Sequence, residues 1–395
     1  MAGENKKRIL IFSLVYYPRT IGGAEVAIKE ITDRLGDFYE FDMVTLQKKA
    51  LSYERVGKVN VYRVGIGGNA KESSFFYRHK IYKYLFPFFA FWKAIELHRK
   101  NNYDLIWSMM ANYAGFGAVF FKFWNSKVPF LLTLQEGDPI YYIKRRVWFV
   151  YPIFRSIFTR ADKIQAISYF LADFGKSMGH KKSIEVIPNG VDLDVFTRIV
   201  SEEIKNNIKN KIAKKSEDVF LVTTSRLVNK NATDDIVSAL VSLPKNLHLI
   251  IIGKGNDGFK LQKQAKDLDI EDRVKFLGFI PYEEIPNYFS VCDIFIRPSR
   301  SEGFGNSFIE AMAAGIPVIA TPVGGIPDFL KDGETGLFCE VNNSQSIADK
   351  VMEYINNPEL TSRIVKNAKE MVSRDYGWNK IAKDMKDKVF DKVLK

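Results

Sequence analysis

Apolar runs rich in β-branched residues alternate with helix-length segments along the whole chain, and this alternation limits the fold more than any other feature. The strand candidates are RILIFSLV, FDMVTLQ, NVYRV, DLIWSM, PFLLTLQ, KIQAIS, VFLVTTSRL, LHLIIIGKG, VKFLGFI, IFIRPS and PVIATP. Segments such as 24–35 and 236–243, which separate most of these runs, have the length and pattern of helices. Such alternation predicts an α/β protein made of βαβ units, and the number of runs predicts two parallel sheets.

The chain is also long enough for two domains, because its 395 residues exceed what one hydrophobic core usually serves. We place the boundary in VIPNGVDLDVF, residues 186–196, where proline, asparagine and glycine favour a turn. The predicted domains are 1–190 and 191–375, each Rossmann-like. The charged segment 201–215, which precedes the second series of strands, is expected to be helical.

Signals for metals, disulfides and membrane insertion are weak in this sequence. Cys292 and Cys339 form no metal or disulfide pattern, and the four histidines lack ligand spacing. Asp192 and Asp194 form an isolated D-x-D, whereas hard cations need several converging oxygen ligands, so no metal site is predicted. The short apolar run near the N-terminus is typical of a buried strand rather than a signal peptide or a membrane span. We expect a cytoplasmic protein.

The formal net charge of +12 resides in the first half of the chain. Residues 1–190 contain 29 Lys and Arg against 16 Asp and Glu, whereas residues 191–395 contain 29 against 30. This asymmetry indicates an anionic partner of the first half, which is a nucleic acid, a membrane surface or an acidic substrate. Nothing in the sequence resembles a nucleic-acid-binding module, so nucleic acid is not expected.

Two segments of the first half interleave aromatic residues with cations. Residues 75–92, FFYRHKIYKYLFPFFAFW, hold ten aromatics together with Arg78, Lys80 and Lys83, and residues 141–160 repeat the mixture. An interfacial segment on anionic lipid requires this combination. The alternative is a core helix whose cations are solvated. Combined with the charge asymmetry, the segments favour peripheral association with the inner face of the cell membrane.

The stretch PSRSEGFGNSFIEAMAAG, residues 298–315, sets Glu302 and Glu310 around a glycine-punctuated loop that leads into a helix. Glycines before a helix leave its first amides accessible, and such amides bind anions. A purely structural alternative is a capping box, in which Ser307 and Glu310 start the helix through reciprocal hydrogen bonds. That alternative leaves the glycines and Glu302 unexplained.

Two other places hold groups suited to an anion. Gly22 and Gly23 open a helix after the first strand, a weak phosphate signal that a plain turn explains equally well. Arg226 and Lys230 follow the first strand of the second half, at the edge where open α/β sheets bind ligands, although surface salt bridges are an alternative. With the glutamate loop, these cations suit a diphosphate and the carboxylates suit vicinal hydroxyls. A nucleotide sugar carries both groups.

The second half resembles the donor domain of the GT4 family of retaining glycosyltransferases, which have the GT-B fold. The resemblance rests on SRLV, IIGKG, FLGFIPYEEIPNYFSVCDIFIRPSRSEGFGNSFIEAMAAGIPVIATPVGGIPDFL and DGETGLF. It continues through YYPRTIGGAE and VIPNGVDLDVF and so covers nearly the whole chain. It implies two Rossmann-like parallel-sheet domains facing across a cleft, with a C-terminal helix, about 376–395, crossing back to the N-terminal domain.

The resemblance also implies roles for individual residues. Glu302 would bind the hydroxyls of the donor sugar, Glu310 the ribose, and Arg226 and Lys230 the diphosphate. The residues implied to contact the nucleotide through backbone or side chain are Gly22, Gly23, Gly278, Phe279, Ile280, Gly305, Asn306, Ser307 and Glu310.

Two positions depart from the family pattern. Gln135 stands where the family commonly has a histidine that reaches the donor sugar; a glutamine can donate and accept hydrogen bonds but cannot ionise. Asn231 and Ala232 stand where the family often has Lys-Gly, so Lys230 is expected to take over the phosphate contact.

The expected activity is transfer of a sugar from a UDP- or GDP-sugar to a lipid-linked or cell-surface glycan acceptor held by the basic first domain. The resemblance implies retention of anomeric configuration, and it implies no metal and no cofactor besides the donor substrate. One alternative is an epimerase or small-acceptor synthase of the same fold. The other is a catalytically silent sugar-nucleotide-binding or scaffold protein, which the departures at Gln135 and Asn231 motivate.

Overall fold

The computed structural model describes residues 6–18, 22–46, 52–65 and 72–395, with the backbone only for residues 72–81. The chain forms two compact units, which we call the N-terminal unit (Met1–Asn189 with Trp378–Lys395) and the C-terminal unit (Gly190–Gly377). In each unit the helices flank a sheet of buried strands.

The N-terminal unit begins with a strand that is almost wholly buried, and strands and helices then alternate. Its strands are β1 (Lys7–Phe12), β2 (Tyr39–Leu46), β3 (Tyr53–Val56), β4 (Val59–Val64), β5 (Leu105–Met109), β6 (Phe130–Leu134), β7 (Lys163–Ala166) and β8 (Ile184–Val186). Its first helices are α1 (Gly23–Leu35), α2 (Glu72–Asn101), α3 (Tyr113–Trp124), α4 (Ile140–Arg146), α5 (Tyr151–Thr159) and α6 (Tyr169–Ser177).

The C-terminal unit repeats the alternation. Its strands are β9 (Val219–Thr224), β10 (Leu247–Ile252), β11 (Val274–Gly278), β12 (Ile294–Arg297), β13 (Val318–Ala320) and β14 (Leu337–Phe338). Its helices are α7 (Leu193–Phe196), α8 (Glu202–Ile212), α9 (Thr233–Ala239), α10 (Gly258–Asp267), α11 (Ile285–Phe289), α12 (Asn306–Ala314), α13 (Ser344–Asn356) and α14 (Pro358–Asp375).

The strand order of both sheets is that of doubly wound α/β folds. Among the described residues, the N-terminal sheet runs β3-β4-β2-β1-β5-β6-β7-β8, and every pair is parallel except the β3–β4 hairpin. The C-terminal sheet runs β11-β10-β9-β12-β13-β14 and is parallel throughout its described pairs. The carboxyl ends of parallel strands meet at one edge of a sheet, which is where such folds place their ligand-binding loops.

The C-terminal segment packs on the N-terminal unit, as the family resemblance implies. It comprises α15 (Trp378–Met385), a π-helical turn over 386–390 and α16 (Asp391–Val393). Its apolar side chains share one core with β1, β2 and β5, and the ring of Phe390 lies 5.2 Å from that of Trp107. These apolar residues recur with the spacing of one helix face, which is the face that is buried.

The predicted parallel sheets are confirmed, while short edge strands escaped the sequence analysis. β3 has the sequence YERV and is only half-buried, so it lacks the apolar pattern of a central strand. The helix expected over 236–243 instead begins at Thr233, and its last turn is a 3-10 helix over 240–242. No helix within the described residues is both long and apolar enough to cross a membrane.

Candidate active site

The candidate donor site lies where β9 and β12 end side by side. These two strands are neighbours in the C-terminal sheet, with Leu221 opposite Ile294 and Val222 opposite Phe295. The loop after β9 carries residues 225–232, and the loop after β12 leads through residues 298–305 into α12. Because both loops leave the same edge of the sheet, residues far apart in sequence come into contact there.

Arg297, the last residue of β12, is the centre of these contacts. Its Nη1 donates to Oγ of Ser307 at 2.9 Å, and its Nη2 donates to Oδ1 of Asn231 at 3.1 Å. The same Nη2 forms an ion pair with Oε2 of Glu302. Asn231 in turn donates to the backbone oxygen of Arg226 at 2.7 Å. One guanidinium therefore joins the β9 loop, the β12 loop and the first turn of α12.

The surroundings of Arg297 are largely dry. Only 9% of the residue is exposed, and its guanidinium carbon lies 5.3 Å from the centre of the Phe308 ring. Its Nε has no hydrogen-bond partner within the described residues. Burial of a cation is tolerated only when it is paired, so the contact with Glu302 offsets the desolvation of both groups.

Glu302 is fixed through its backbone as well as its side chain. Its Oε1 accepts a hydrogen bond from the amide of Gly303 at 3.0 Å, and its carbonyl oxygen accepts one from Gly325 at 3.2 Å. Gly324 has φ +59°, and a Cβ built there would lie 1.7 Å from the carbonyl oxygen of Glu302. Only glycine permits this close approach, which holds the loop in place.

The start of α12 differs from the capping box considered above, and that alternative is wrong. Gly305 precedes the helix with φ +97° and, being a glycine, supplies no side-chain cap. Ser307 lies inside the first turn, where its hydroxyl accepts from Arg297 instead of from a backbone amide. The left-handed conformation at the entrance is compatible with glycine, which adds no side chain of its own at the helix start.

Glu310 lies one turn further along α12. Its side chain is half-buried. Desolvation raises the pKa of its carboxyl to about 7, and the positive charge of Arg297 offsets part of that rise. A carboxyl with a pKa near neutrality can exchange its proton when a ligand arrives, and perturbed groups of this kind are enriched in functional sites.

The two predicted cations Arg226 and Lys230 occupy the β9 loop, but they differ in environment. Arg226 is exposed, and within the described residues its guanidinium forms no hydrogen bond or ion pair. Lys230 is half-buried, and its carbonyl oxygen accepts the amide of Arg300 at 2.7 Å. Arg300 pairs with Asp234 and Asp235 at 2.9 Å each, which ties the β12 loop to the start of α9.

The predicted base-binding residues follow β11. Gly278 closes that strand with φ +71°, and its carbonyl oxygen accepts the amide of Gly253 at 2.7 Å. Phe279 is 65% exposed and Ile280 is half-buried. An exposed aromatic ring at the ligand-binding edge of a sheet is available to stack on a base.

The predicted residues Gln135 and Gly22 have neighbours within the N-terminal unit itself. Gln135 and Asn189 exchange two hydrogen bonds, of 3.1 and 3.3 Å, so both ends of the Gln135 amide have a partner. Gly22 precedes α1, and a Cβ there would lie 2.7 Å from Oε2 of Glu25. The Glu25 carboxylate therefore stands beside the helix start where Gly22 and Gly23 were expected to meet a phosphate.

Two charged residues of these sheet edges were missed by the sequence analysis. Arg297 closes the otherwise apolar run IFIR, and Glu136 follows the apolar run FLLTL by one residue. Oε1 of Glu136 accepts the amide of Ala111 at 2.6 Å, while its Oε2 is buried without a hydrogen-bond partner among the described residues. Burial raises the pKa of Glu136 to about 7. A charge at the end of a buried strand is the signal that would have identified both.

The aromatic-basic segments form a helical surface of the N-terminal unit. The exposed side chains of this surface are Tyr84, Phe88 and Trp92 on α2, Phe123 and Trp124 on α3, Tyr141 on α4, and Trp148 and Phe149 just after α4. Lys83 lies 5.6 Å from the Tyr113 ring, and Arg160 lies 5.2 Å from the Phe123 ring. Phe86 and Ala90 face inward, so α2 is apolar on both sides over residues 84–92. The predicted cations Arg78 and Lys80 lie outside the described side chains.

The D-x-D is explained by helix capping. Oδ1 of Asp192 accepts the amide of Val195 at 3.1 Å and so caps α7. Within the described residues, no group of three or more histidine, cysteine or acidic side chains is arranged to hold a metal ion.

Two family models match the chain. The model described as Glycosyl transferases group 1 matches residues 204–371, and the model described as Glycosyltransferase Family 4 matches residues 21–195. The chain belongs to the group 1, family 4 glycosyltransferases. The two matches fall on the two units of the structure and confirm the family that the sequence motifs indicated.

Proteins related to this glycosyltransferase in sequence include one of unknown specificity and one with a named reaction. An uncharacterized glycosyltransferase of Methanocaldococcus jannaschii is 29% identical over 386 residues, which cover 96% of this chain and 97% of the relative. The GDP-mannose-dependent alpha-(1-6)-phosphatidylinositol monomannoside mannosyltransferase of Mycobacterium tuberculosis is 29% identical over 255 residues. That match covers 61% of this chain and 66% of the relative.

Solved structures share the fold over almost the entire chain. Anabaena HepE in complex with UDP superposes with a TM-score of 0.77 at 20% identity, covering 98% of this glycosyltransferase and 100% of HepE. The sucrose-phosphate synthase of Thermosynechococcus elongatus gives a TM-score of 0.81 at 19% identity, covering 98% and 99%. These matches confirm the GT-B fold class.

Proposed function

We propose that this glycosyltransferase moves a sugar from a UDP- or GDP-sugar to a lipid-linked or cell-surface glycan acceptor, with retention of anomeric configuration. The observation that carries the proposal is the constellation around Arg297, which holds Glu302, Ser307 and Asn231 beside the start of α12. Fixed hydroxyl acceptors next to cations and helix amides suit a ligand that has both sugar hydroxyls and a diphosphate.

In this proposal the C-terminal unit binds the donor. Glu302 accepts hydrogen bonds from the sugar hydroxyls and Glu310 from the ribose. The diphosphate takes the amides of residues 305–307 together with Arg226 and Lys230, and the base stacks on Phe279, with Gly278 and Ile280 at its edge. Arg226 favours this assignment because its exposed guanidinium is uncommitted within the described residues. Gly22, Gly23 and Gln135 remain predicted donor contacts of the N-terminal unit.

The chemistry follows from where charge develops. When the anomeric C–O bond breaks, its electron pair goes to the leaving diphosphate, so preorganised cations and amides there lower the barrier. The acceptor hydroxyl forms the new bond on the same face of the sugar, and its proton passes to the leaving phosphate oxygen. The resemblance implies that neither a carboxylate nucleophile nor a metal ion takes part.

The relatives support a nucleoside diphosphate donor without fixing its base. The named mycobacterial relative depends on GDP-mannose, whereas the structural relative HepE was crystallised with UDP. The base is set by the backbone and the aromatic ring around Phe279, and the sugar by hydroxyls within reach of Glu302. Both bases therefore belong in the donor test.

The acceptor proposal rests on the N-terminal unit. Its exposed aromatic-basic surface offers apolar area and cations side by side, as an anionic membrane interface requires, so we propose peripheral membrane association. The mycobacterial relative acts on a phosphatidylinositol mannoside, a glycolipid, which agrees with a lipid-linked acceptor.

The deciding experiment incubates the protein with a panel of UDP- and GDP-sugars, with and without a glycolipid extract, and measures nucleoside diphosphate release and product anomer. We expect one donor to be turned over, with product in the donor's anomeric configuration and loss of turnover in Glu302→Ala. Binding of a donor without release of nucleotide would favour the catalytically silent alternative. An inverted product would contradict the retaining mechanism.

A further inference from the structure

Arg297 has no role among the contacts proposed so far for the nucleotide sugar. It touches three of the segments that carry those contacts, and it is too deeply buried to be a surface charge. Its Nε keeps a proton without a hydrogen-bond acceptor among the described residues. A buried guanidinium that is incompletely satisfied costs stability, so a structural role alone gives little reason to retain it.

We infer that Arg297 is a positioning residue for donor-sugar recognition, because it fixes the orientation of the Glu302 carboxylate. The site has room for one buried cation, which can stand at position 297 or at position 231 but not at both. This inference rests on the proposed function of the site and adds the residue on which its sugar specificity depends.

The carboxylate of Glu302 is held at both of its oxygens. Its Oε2 is held by Arg297 and its Oε1 by the Gly303 amide at 3.0 Å. Each carboxylate oxygen has a second lone pair, so both remain able to accept a sugar hydroxyl while their direction is fixed from behind. Recognition of hydroxyls depends on such fixed geometry, because a carboxylate that rotates freely accepts from either epimer.

The positive charge beside Glu302 is carried by Arg297, and its neighbour Asn231 is neutral. Oδ1 of Asn231 lies 3.1 Å from Nη2 of Arg297, and Asn231 is buried. A lysine at position 231 would bring its ammonium into the volume that the guanidinium fills, so two cations would repel each other in a dry site. Ala232 has φ +53°, so the turn that presents position 231 adopts the left-handed conformation without a glycine.

Arg297 bears on sugar recognition more than on nucleotide binding. It reaches the sugar through Glu302, whereas the ribose is assigned to Glu310. Of the groups assigned to the diphosphate, Arg297 contacts Ser307. Loss of Arg297 should therefore lower kcat/KM for the intact donor far more than it lowers affinity for the nucleoside diphosphate alone.

The test compares the full-length wild type with Arg297→Met, Arg297→Lys and the control Arg273→Met. Arg273 is a half-buried arginine of the same unit whose guanidinium donates to the backbone oxygens of Leu243, Pro244 and Leu247, at the start of β10. We expect donor kcat/KM to fall about 100-fold in Arg297→Met, because a buried charge loses its partner. Thermal stabilisation by UDP or GDP should persist, and Arg273→Met should change neither readout.

A charge-relocation pair sharpens the test. Asn231→Lys should lower donor kcat/KM in the wild type, because it adds a second cation beside Arg297. In the Arg297→Met background the same substitution should raise kcat/KM at least tenfold, because the ammonium then lies within reach of Glu302. Asn231→Lys is thus expected to lower donor kcat/KM when residue 297 is arginine and to raise it when residue 297 is methionine. Loss of packing alone would not produce this reversal.

The outcomes distinguish this inference from the proposed function. No response of the wild type to any nucleotide sugar would overturn both. The positioning role alone would be overturned if the wild type turns over a donor while Arg297→Met keeps its kcat/KM, or loses no more of it than Arg273→Met does. If Arg297→Met fails to fold by circular dichroism, Arg297→Lys decides, since it keeps the charge but loses the forked geometry: a loss of at least tenfold supports the role, and an unchanged kcat/KM overturns it.

Discussion

Each unit buries a glutamate beyond the carboxyl end of a strand, but the two units compensate its charge differently. In the C-terminal unit, Glu302 pairs with Arg297 and accepts the amide of Gly303. In the N-terminal unit, Glu136 accepts the amide of Ala111, and burial raises its pKa to about 7. The C-terminal site is therefore built around a fixed charge pair, whereas the N-terminal carboxyl is poised to be neutral just below pH 7.

The same contrast extends to the surfaces. The excess positive charge of the chain belongs to residues 1–190, where aromatic residues such as Trp148, which is 74% exposed, stand beside cations. Residues 191–395 are nearly neutral in total charge, yet they bury the arginine that organises the candidate site. The C-terminal unit therefore keeps a charge in a buried ion pair, whereas the N-terminal unit exposes aromatic residues beside cations.

The largest effect is expected from Gly324→Ala, which disturbs the backbone that holds Glu302 in the C-terminal site. The new Cβ would meet the carbonyl oxygen of Glu302 at 1.7 Å, and the residue has φ +59°. We expect a loss of about 4 kcal/mol in unfolding free energy and loss of donor turnover. Gly333→Ala is the control: φ there is +71° with nothing within 4 Å of the new Cβ, so the loss should be about 1 kcal/mol. Equal losses in a denaturant titration would show that the close approach is unimportant.

The next prediction tests whether the two buried glutamates contribute to stability with opposite sign. Glu302→Gln leaves Arg297 buried without a counter-ion and should cost about 3 kcal/mol. Glu136→Gln removes a desolvated carboxylate and should instead stabilise the protein at pH 8 by about 1–3 kcal/mol. Unfolding of both variants at pH 8 provides the test, and destabilisation by Glu136→Gln would contradict the account of the N-terminal carboxyl.

The pH dependence of this gain has a fixed sign. The folded-state pKa of Glu136 is about 7, whereas the ordinary value for a glutamate is 4.5, so between these values the folded protein binds more protons than the unfolded chain. The contribution of Glu136 to the free energy of unfolding is fully present below about pH 4.5 and is lost as the pH rises through 7. The advantage of Glu136→Gln should therefore appear over this interval and remain constant above it.

A smaller effect concerns donor binding and Glu310. Because its pKa in the free protein is about 7, the carboxylate that would accept the ribose hydroxyls is largely protonated at pH 6 and ionised at pH 8. Affinity for a nucleotide sugar, whose diphosphate does not titrate in this range, should rise about tenfold from pH 6 to pH 8. Calorimetry with Glu310→Gln should show no such rise. A wild-type affinity independent of pH would exclude Glu310 from the contact.

The smallest effect concerns the exposed aromatic-basic surface. Trp148→Ala should weaken binding to vesicles containing anionic lipid several-fold without changing unfolding, because the side chain is largely solvated. Phe259→Ala is the matched control, since Phe259 is an exposed aromatic of the C-terminal unit. Wild-type protein that ignores anionic vesicles in a sedimentation assay would contradict the membrane proposal.

Much of the fold could be predicted because its signals are local. Buried parallel strands such as RILIF and LHLIII are continuous apolar runs, and the helices between them have their own periodicity. The edge strand β3 was missed because its residues are half-exposed. The sequence also placed Glu302 and Glu310 around a helix entrance, and the structure has this arrangement.

The partners of the site residues could not be predicted, because they come from segments distant in sequence. Asn231 and Arg297 are 66 residues apart and meet only because β9 and β12 are neighbours in the sheet. The capping box was wrong for the same reason, since Arg297 engages the Ser307 hydroxyl that a local pattern assigns to the helix start. Strand order, which no local pattern encodes, decides which side chains share a site.

Thermal unfolding of the wild type and Glu310→Ala with UDP, GDP, ADP and their sugar derivatives tests whether the C-terminal unit holds a nucleotide sugar. A ligand at about 100 times its dissociation constant adds roughly 2.7 kcal/mol to the folded state, which shifts the transition measurably. The account predicts that one base stands out, that its sugar derivative stabilises further, and that Glu310→Ala reduces both shifts. No shift with any nucleotide in the wild type would contradict it.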